Sequence, residues 1–308
     1  MFTKSTVFIV GAGASNSFGY PLGSQLPAKI RERASELFNF CVNPTRGTVF
    51  PDFYLRKVFP NDVPDPSSLE KIWSRIQSDA EILSTRLRDA GKDTIDYFFH
   101  QNQSLSDLGR VLMAAEICKN EFDAFTSFNL NNDNKVFGEN WIRHVAAHIV
   151  RDCDSVEKLK VNKVNFITFN YDLAIERILY SALYARETLH KGSAIEQDIE
   201  IKNFVSGDRI IHVYGGLAWD PFSHPTFSYN VIDQYNNAYK YSEEMRIIAP
   251  NEKADRKSHL DKAKQLIRDA EVIYILGYGF DENNNKLLAL DEPTNFSQNK
   301  KVYFTNFD

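Results

Sequence analysis

The run Val7-Phe8-Ile9-Val10, followed at once by Gly11-Ala12-Gly13-Ala14-Ser15, constrains the fold of this chain more than any other feature. Consecutive apolar residues bounded by turn residues mark a strand covered on both faces, as in the middle of a parallel sheet. Comparable runs lie at 164–169, 209–214, 272–276 and 302–304, and together with 6–10 they are expected to form one sheet. Helical patterns occupy 173–183 and 259–270 between them, and 24–40 reads as a helix following the first strand. This alternation specifies an α/β fold, a Rossmann-like doubly wound parallel sheet.

Residues 51–161 read differently, with helical periodicity and few strand-like runs. Leu69, Ile72, Trp73 and Ile76 share one helical face, with Ser67 or Ser68 able to cap its start. Further helices are expected at 105–120 and 140–152, and the Asn-rich stretch 129–135 reads as a loop. The expected organisation is a sheet domain of 1–50 and 160–308 with a helical lobe, 51–159, inserted into it. These two parts account for essentially all 308 residues, so control of the module is expected to come from other chains.

Hydrophobic residues at 43% and charged residues at 25% are those of a folded globular chain. A net charge of −5, from 36 Lys plus Arg against 41 Asp plus Glu, implies no global attraction to nucleic acid or to an anionic membrane. Cys41, Cys118 and Cys153 are widely spaced and form no CxxC, so neither a disulfide framework nor a four-cysteine zinc site is expected. No apolar run approaches the roughly 20 residues that span a bilayer, and no signal-peptide pattern opens the chain, which places it in the cytoplasm.

Several strands end in glycines or small polar residues, where sheets of this class bind ligands. The Gly11-to-Ser15 turn suits backbone N–H groups approaching a pyrophosphate, with a purely structural tight turn as the alternative. After the second strand comes Phe169-Asn170-Tyr171-Asp172. Asn170 can hydrogen-bond a ribose hydroxyl, a carboxamide or a water; Asp172 can do the same or cap the helix beginning at 173, and both roles can coexist. The third run, Ile211-His212-Val213-Tyr214-Gly215, puts His212 and Tyr214 on one face of the strand; His212 suits proton acceptance at neutral pH, with a hydrogen-bonded core histidine as the favoured alternative when it is taken alone. Gly277-Tyr278-Gly279 and Asn306 follow the last two. An acidic ribose-binding residue about 20 residues after the first turn, usual in dehydrogenases, is replaced by helix and by the Gly19-Tyr20-Pro21-Leu22-Gly23 turn. His144 and His148 are spaced i,i+4 but have no evident third ligand, and Tyr97-Phe98-Phe99-His100 reads as lobe packing because no basic residues interleave it.

In order along the chain, Gly11-Ala12-Gly13-Ala14-Ser15 with Gly19-Tyr20-Pro21, Phe169-Asn170-Tyr171-Asp172, His212 to Gly215, Gly277-Tyr278-Gly279 and Asn306 resemble the sirtuin superfamily. Thr94-Ile95-Asp96-Tyr97-Phe98-Phe99 is similar to a stretch common in its bacterial antiphage-defence members. The zinc cysteines and the Asp-Phe-Arg sequence of the deacylases are missing, and Phe169 stands where their glutamine usually precedes the asparagine. The resemblance therefore implies a zinc-free NAD⁺ hydrolase that cleaves the nicotinamide–ribose bond and depletes NAD⁺ in abortive infection. It implies that Asn170 orients ribose and water, and that His212 accepts a proton. His212 stands two residues before the position usual for the family histidine, which Tyr214 occupies; His212 is preferred because a phenol of pKa about 10 is a poor base at neutral pH. Asp172 would hold the carboxamide, and Gly11, Ala12, Gly13 and Ser15 would cradle the pyrophosphate. Tyr214, Gly277, Tyr278, Gly279 and Asn306 would line the remaining NAD⁺ site. Implied partners are other copies of the chain, a hexameric motor ATPase or a phage protein trigger. A non-hydrolytic sensor of NAD or ADP-ribose is the alternative function, and an NAD-dependent deacylase is a third.

Overall fold

The computed structural model describes residues 1–42, 66–90, 94–126, 138–189, 193–223, 228, 230–246, 254–295 and 300–305. Strands β1 (Thr6–Val10), β2 (Val164–Thr168), β3 (Ile210–His212), β4 (Val272–Leu276) and β5 (Lys301–Thr305) form one all-parallel sheet in the order β3-β2-β1-β4-β5. The fold is α/β and Rossmann-like. β1 and β4 have the bounds expected from their apolar runs. β1 is central and buried at every position, whereas every residue of the edge strand β5 is exposed. The third run extends to 214 in sequence, but the strand stops at His212. The chain turns there: Gly215 N–H bonds back to the His212 carbonyl, at 3.1 Å.

One face of the sheet carries an aromatic ladder. Phe166, Phe8, Tyr274 and Tyr303 stack across four adjacent strands, with centroids 5.3, 4.9 and 5.1 Å apart, because parallel register places them side by side. Trp141 adds to it, stacking on Phe8 at 6.3 Å and donating its indole N–H to the Ala14 carbonyl at 3.1 Å.

The helices are α1 (Ala12–Asn16), α2 (Leu26–Val42), α3 (Pro66–Asp89), α4 (Ile95–Gln101), α5 (Ser106–Thr126), α6 (Trp141–Ile149), α7 (Ala174–Tyr184), α8 (Ala194–Val205), α9 (Val231–Tyr241), α10 (Ala254–Asp269) and α11 (Glu282–Leu288). α3 begins at Pro66, so Ser67 and Ser68 lie inside its first turn instead of capping it. Proline suits a first helical turn because its ring presets φ and its missing N–H would have no helical partner there. Helices α3 and α5 pack with α2, and α9 packs on α5, so segments from both ends of the chain close around α5. Gly109 of α5 lets the Phe99 ring of α4 approach the helix closely: a Cβ at Gly109 would stand 1.9 Å from the ring. The Asn-rich stretch 129–135 lies outside the described residues. Among the described residues no helix is long and apolar enough to cross a membrane.

Candidate active site at the carboxyl end of the sheet

Strand order reverses between β1 and β4, and the loops leaving these two strands are in direct contact. Gly11 N–H donates to the Leu276 carbonyl and Gly13 N–H to the Gly277 carbonyl, both at 2.9 Å. The approach excludes side chains: a Cβ on Gly11 would lie 2.6 Å from the Gly277 oxygen. These two N–H groups, assigned to a pyrophosphate on sequence grounds, thus bind the neighbouring loop in this structure. Ala12 opens α1, which carries Ser15 into the site.

Around Ser15 the sequence motifs converge. The Asn170 carboxamide N–H₂ donates to the Gly11 carbonyl (3.2 Å) and to Ser15 Oγ (2.9 Å), across 159 and 155 residues. Asn170 is 8% exposed, and its own N–H is held by Thr168 Oγ1. Asp172, also buried, accepts the Ala174 N–H at 3.1 Å, so it holds the entry to α7 from one residue ahead of the N-cap, which is Leu173. Burial pushes the Asp172 carboxyl up to about 6, against the opposing pull of the Ala174 N–H, the Ser15 hydroxyl and His212.

His212 is held at both ring nitrogens. Nδ1 lies 2.8 Å from the Asn170 carbonyl oxygen, and Nε2 lies 2.7 Å from Glu176 Oε1 in the first turn of α7. A carbonyl can only accept, so Nδ1 carries a proton. Burial works against the charged ring, but the Glu176 carboxylate and the Asn170 carbonyl outweigh it and push His212 up to about 9. The ring is therefore an imidazolium at neutral pH, and the base assigned to it on sequence grounds is already protonated. Because the folded-state value is raised above the ordinary one of about 6.5, the stabilisation is complete below pH about 6.5 and is lost as pH rises through about 9. Glu176→Gln is expected to be less stable than wild type by about 3 kcal/mol near pH 6, with the gap shrinking at pH above 9. Urea unfolding of both proteins across that range measures it, and a gap independent of pH refutes the pairing.

Aromatic rings from three strand ends flank this polar cluster. Phe169 stacks on Tyr278 with centroids 4.9 Å apart, and Tyr214 packs near both Phe169 and Tyr171. The Tyr214 hydroxyl donates to Asn284 Oδ1 on α11, and the Tyr278 hydroxyl to Asn285 Oδ1 at 2.9 Å. Gly279 lies in the same turn with open space around it, and Asn306 falls outside the described residues.

Two carboxylates from the helical segment grip the 170–173 turn. Asp96 of α4 accepts from the Tyr171 hydroxyl at 2.8 Å, and Glu121 of α5 accepts the Leu173 N–H at 2.7 Å. Burial pushes Glu121 up to about 7, although Arg177 of α7 pairs with it at 2.8 Å. Sequence reading missed Glu176, Glu121, Arg177 and Asn284, and gave Asp96 no role of its own. A signal existed for Glu176, in the first turn of the helix that follows Asp172, and for Asp96, inside the Thr94-to-Phe99 stretch; Glu121 is too distant in sequence to leave one.

The other histidine and aromatic motifs pack elsewhere. His148 lies against the Phe2 ring at 4.4 Å, and Phe98 and Phe99 are buried in the helical segment. Among the described residues no group of three or more His, Cys, Asp or Glu side chains is placed to hold a metal ion. Compared with models of known protein families and with curated proteins, the sequence matches none of either.

Proposed function

We propose that the chain is a sirtuin-like NAD⁺ hydrolase that releases nicotinamide and ADP-ribose, in a Rossmann-like sheet domain carrying an inserted, zinc-free helical lobe. The observation that carries this reading is Asn170, a buried carboxamide at the carboxyl end of β2, aimed by hydrogen bonds to Gly11 and Ser15 beside the aromatic group. A polar cluster of Ser15, Asn170 and Asp172 suits a ribose, and flat rings at Phe169, Tyr171, Tyr214 and Tyr278 suit a nicotinamide.

The leaving nicotinamide is cationic in the substrate and needs little acid help, so the protein's task is to orient the ribose and water and to stabilise an oxocarbenium-like transition state. Asn170 orients the ribose hydroxyls and the attacking water. His212 holds the Asn170 backbone in place through Nδ1–H and stays charged. Asp172, poised at about 6, takes the proton from the water. This reading moves the base from His212 to Asp172, and the two assignments predict different pH dependences.

Nicotinamide release by the purified protein is the test. With Asp172 as base, turnover rises as the carboxyl ionises through pH about 6 and is flat by pH 7.5; with His212 as base it would rise through about 9. No release at any pH, with NAD⁺ binding seen by calorimetry, would favour a sensor of NAD or ADP-ribose. That second reading draws support from His212, whose ring nitrogens are both engaged. NAD⁺ depletion in antiphage defence, by a cytoplasmic homo-oligomer answering a phage protein or a motor ATPase, is the setting the reading implies.

A further inference from the structure

We infer that α11 is a latch across the switch-point crevice, held shut by the Tyr214–Asn284 hydrogen bond and opening about the Gly279-Phe280 turn. The inference rests on the reading of that crevice as the NAD⁺ site. Tyr214, at 2% exposed, comes from the turn after β3, and Asn284 from α11 after β4, so their bond ties together two loops 70 residues apart. The Phe169–Tyr278 stack closes the same gap from β2 to β4. With both in place, Asn170 and Asp172 are 8% and 6% exposed.

A second observation locates the hinge. Phe280 has φ +52, a left-handed conformation that is strained for a bulky side chain, and the residue is 47% exposed, its ring tilted against Tyr278 at 5.2 Å. Strain of this kind persists where neighbouring contacts over-determine the backbone, and it is released when they break. The segment that follows can move as one piece because many of its bonds are internal. Asp281 caps Asn284 N–H at 3.0 Å, and Asn285 ties to the Phe280 carbonyl (3.2 Å) and to Leu290 N–H (2.8 Å), while its bond to the Tyr278 hydroxyl (2.9 Å) crosses the turn as a second tie. Leu288, 0% exposed, keeps the far end of α11 in the core, so breaking the Tyr214–Asn284 bond loosens the near end of a preassembled flap.

Asn284→Ala and Tyr214→Phe each remove the latch bond, and Phe280→Gly removes the strain that favours opening. Hydrogen exchange read by mass spectrometry on the full chain, without ligand, is expected to speed up about tenfold in peptides covering 278–290 for the first two and to slow for the third, with β1 and β2 peptides unchanged. NAD⁺ affinity by calorimetry is expected to rise about fivefold or more in Asn284→Ala, because a larger fraction of molecules is open. Unchanged exchange in Asn284→Ala and Tyr214→Phe overturns the latch. Faster local exchange with NAD⁺ affinity equal to wild type overturns its role as a gate. Faster local exchange with no NAD⁺ binding in any protein overturns the NAD⁺ reading of the crevice and leaves the moving flap standing. Should Asn284→Ala fail to fold, Tyr214→Phe, which keeps the ring, and Phe280→Gly, with its opposite sign, decide the matter.

Discussion

Asn170→Ala is expected to lower nicotinamide release by about 100-fold or more while the protein remains folded. The carboxamide joins the β1 turn to the β2 turn through Gly11 and Ser15, and the His212 ring hangs from the same residue's carbonyl. Truncation removes the group that would orient ribose and water, and it leaves the backbone carbonyl and its imidazolium in place. The stability cost is that of leaving the Gly11 carbonyl and the Ser15 hydroxyl without their donor, about 1–3 kcal/mol. Asn170→Asp sharpens the test: it keeps the shape but sets a carboxylate oxygen against the Gly11 carbonyl, so a loss at least as large is expected. Steady-state turnover beside a thermal melt separates chemistry from folding. Near wild-type turnover in Asn170→Ala would remove the residue from the reaction and with it the main support for hydrolysis.

Gly277→Ala is expected to be among the most destabilising single methyl additions at this site, beside Gly215. At φ +56, Gly277 occupies a conformation that an alanine adopts only at a cost of about 1–2 kcal/mol. Its Cβ would also stand 2.0 Å from the Ala14 nitrogen and 2.4 Å from the Gly13 carbonyl carbon. Both are backbone atoms, held by the Gly13 N–H bond to the Gly277 carbonyl, so no side chain can swing aside. Together these effects exceed about 4 kcal/mol, beyond what most single substitutions do. Gly279→Ala, two residues away, is the control: nothing lies within 4 Å of its Cβ, and a change of about 1 kcal/mol or less is expected. Urea unfolding of the two variants compares them directly. If Gly277→Ala unfolds within about 1 kcal/mol of wild type, the two loops are not locked as described.

Much of the sheet was legible in the sequence, because a strand buried on both faces needs an unbroken apolar run and little else can bury one. Strands β1 and β4 have the expected ends for that reason, and the polar residues following β2 come together with the β1 turn. Boundaries set by long-range contacts were less legible. β3 ends at His212 because the chain turns there, although its apolar pattern runs on to Tyr214. The helix containing Ile72 and Ile76 starts at Pro66, ahead of the serines that looked like caps.

The site divides along the same line. Sequence alone determined which residue types stand at the strand ends: a glycine turn after β1, Asn170 and Asp172 after β2, His212 and Tyr214 at the end of β3. Proton affinities and contacts were decided by the tertiary structure. His212 became a charged, doubly bound ring because the fold brings Glu176, 36 residues earlier, to 2.7 Å. Asp172 became the group poised near neutrality because it is enclosed by burial. Gly11 and Gly13 turned their N–H groups to a loop more than 260 positions downstream, and Tyr214 closed onto Asn284. A strand is a local consequence of its own apolar residues, whereas a pKa or a hydrogen bond depends on groups within a few ångströms, and only the folded chain brings them there.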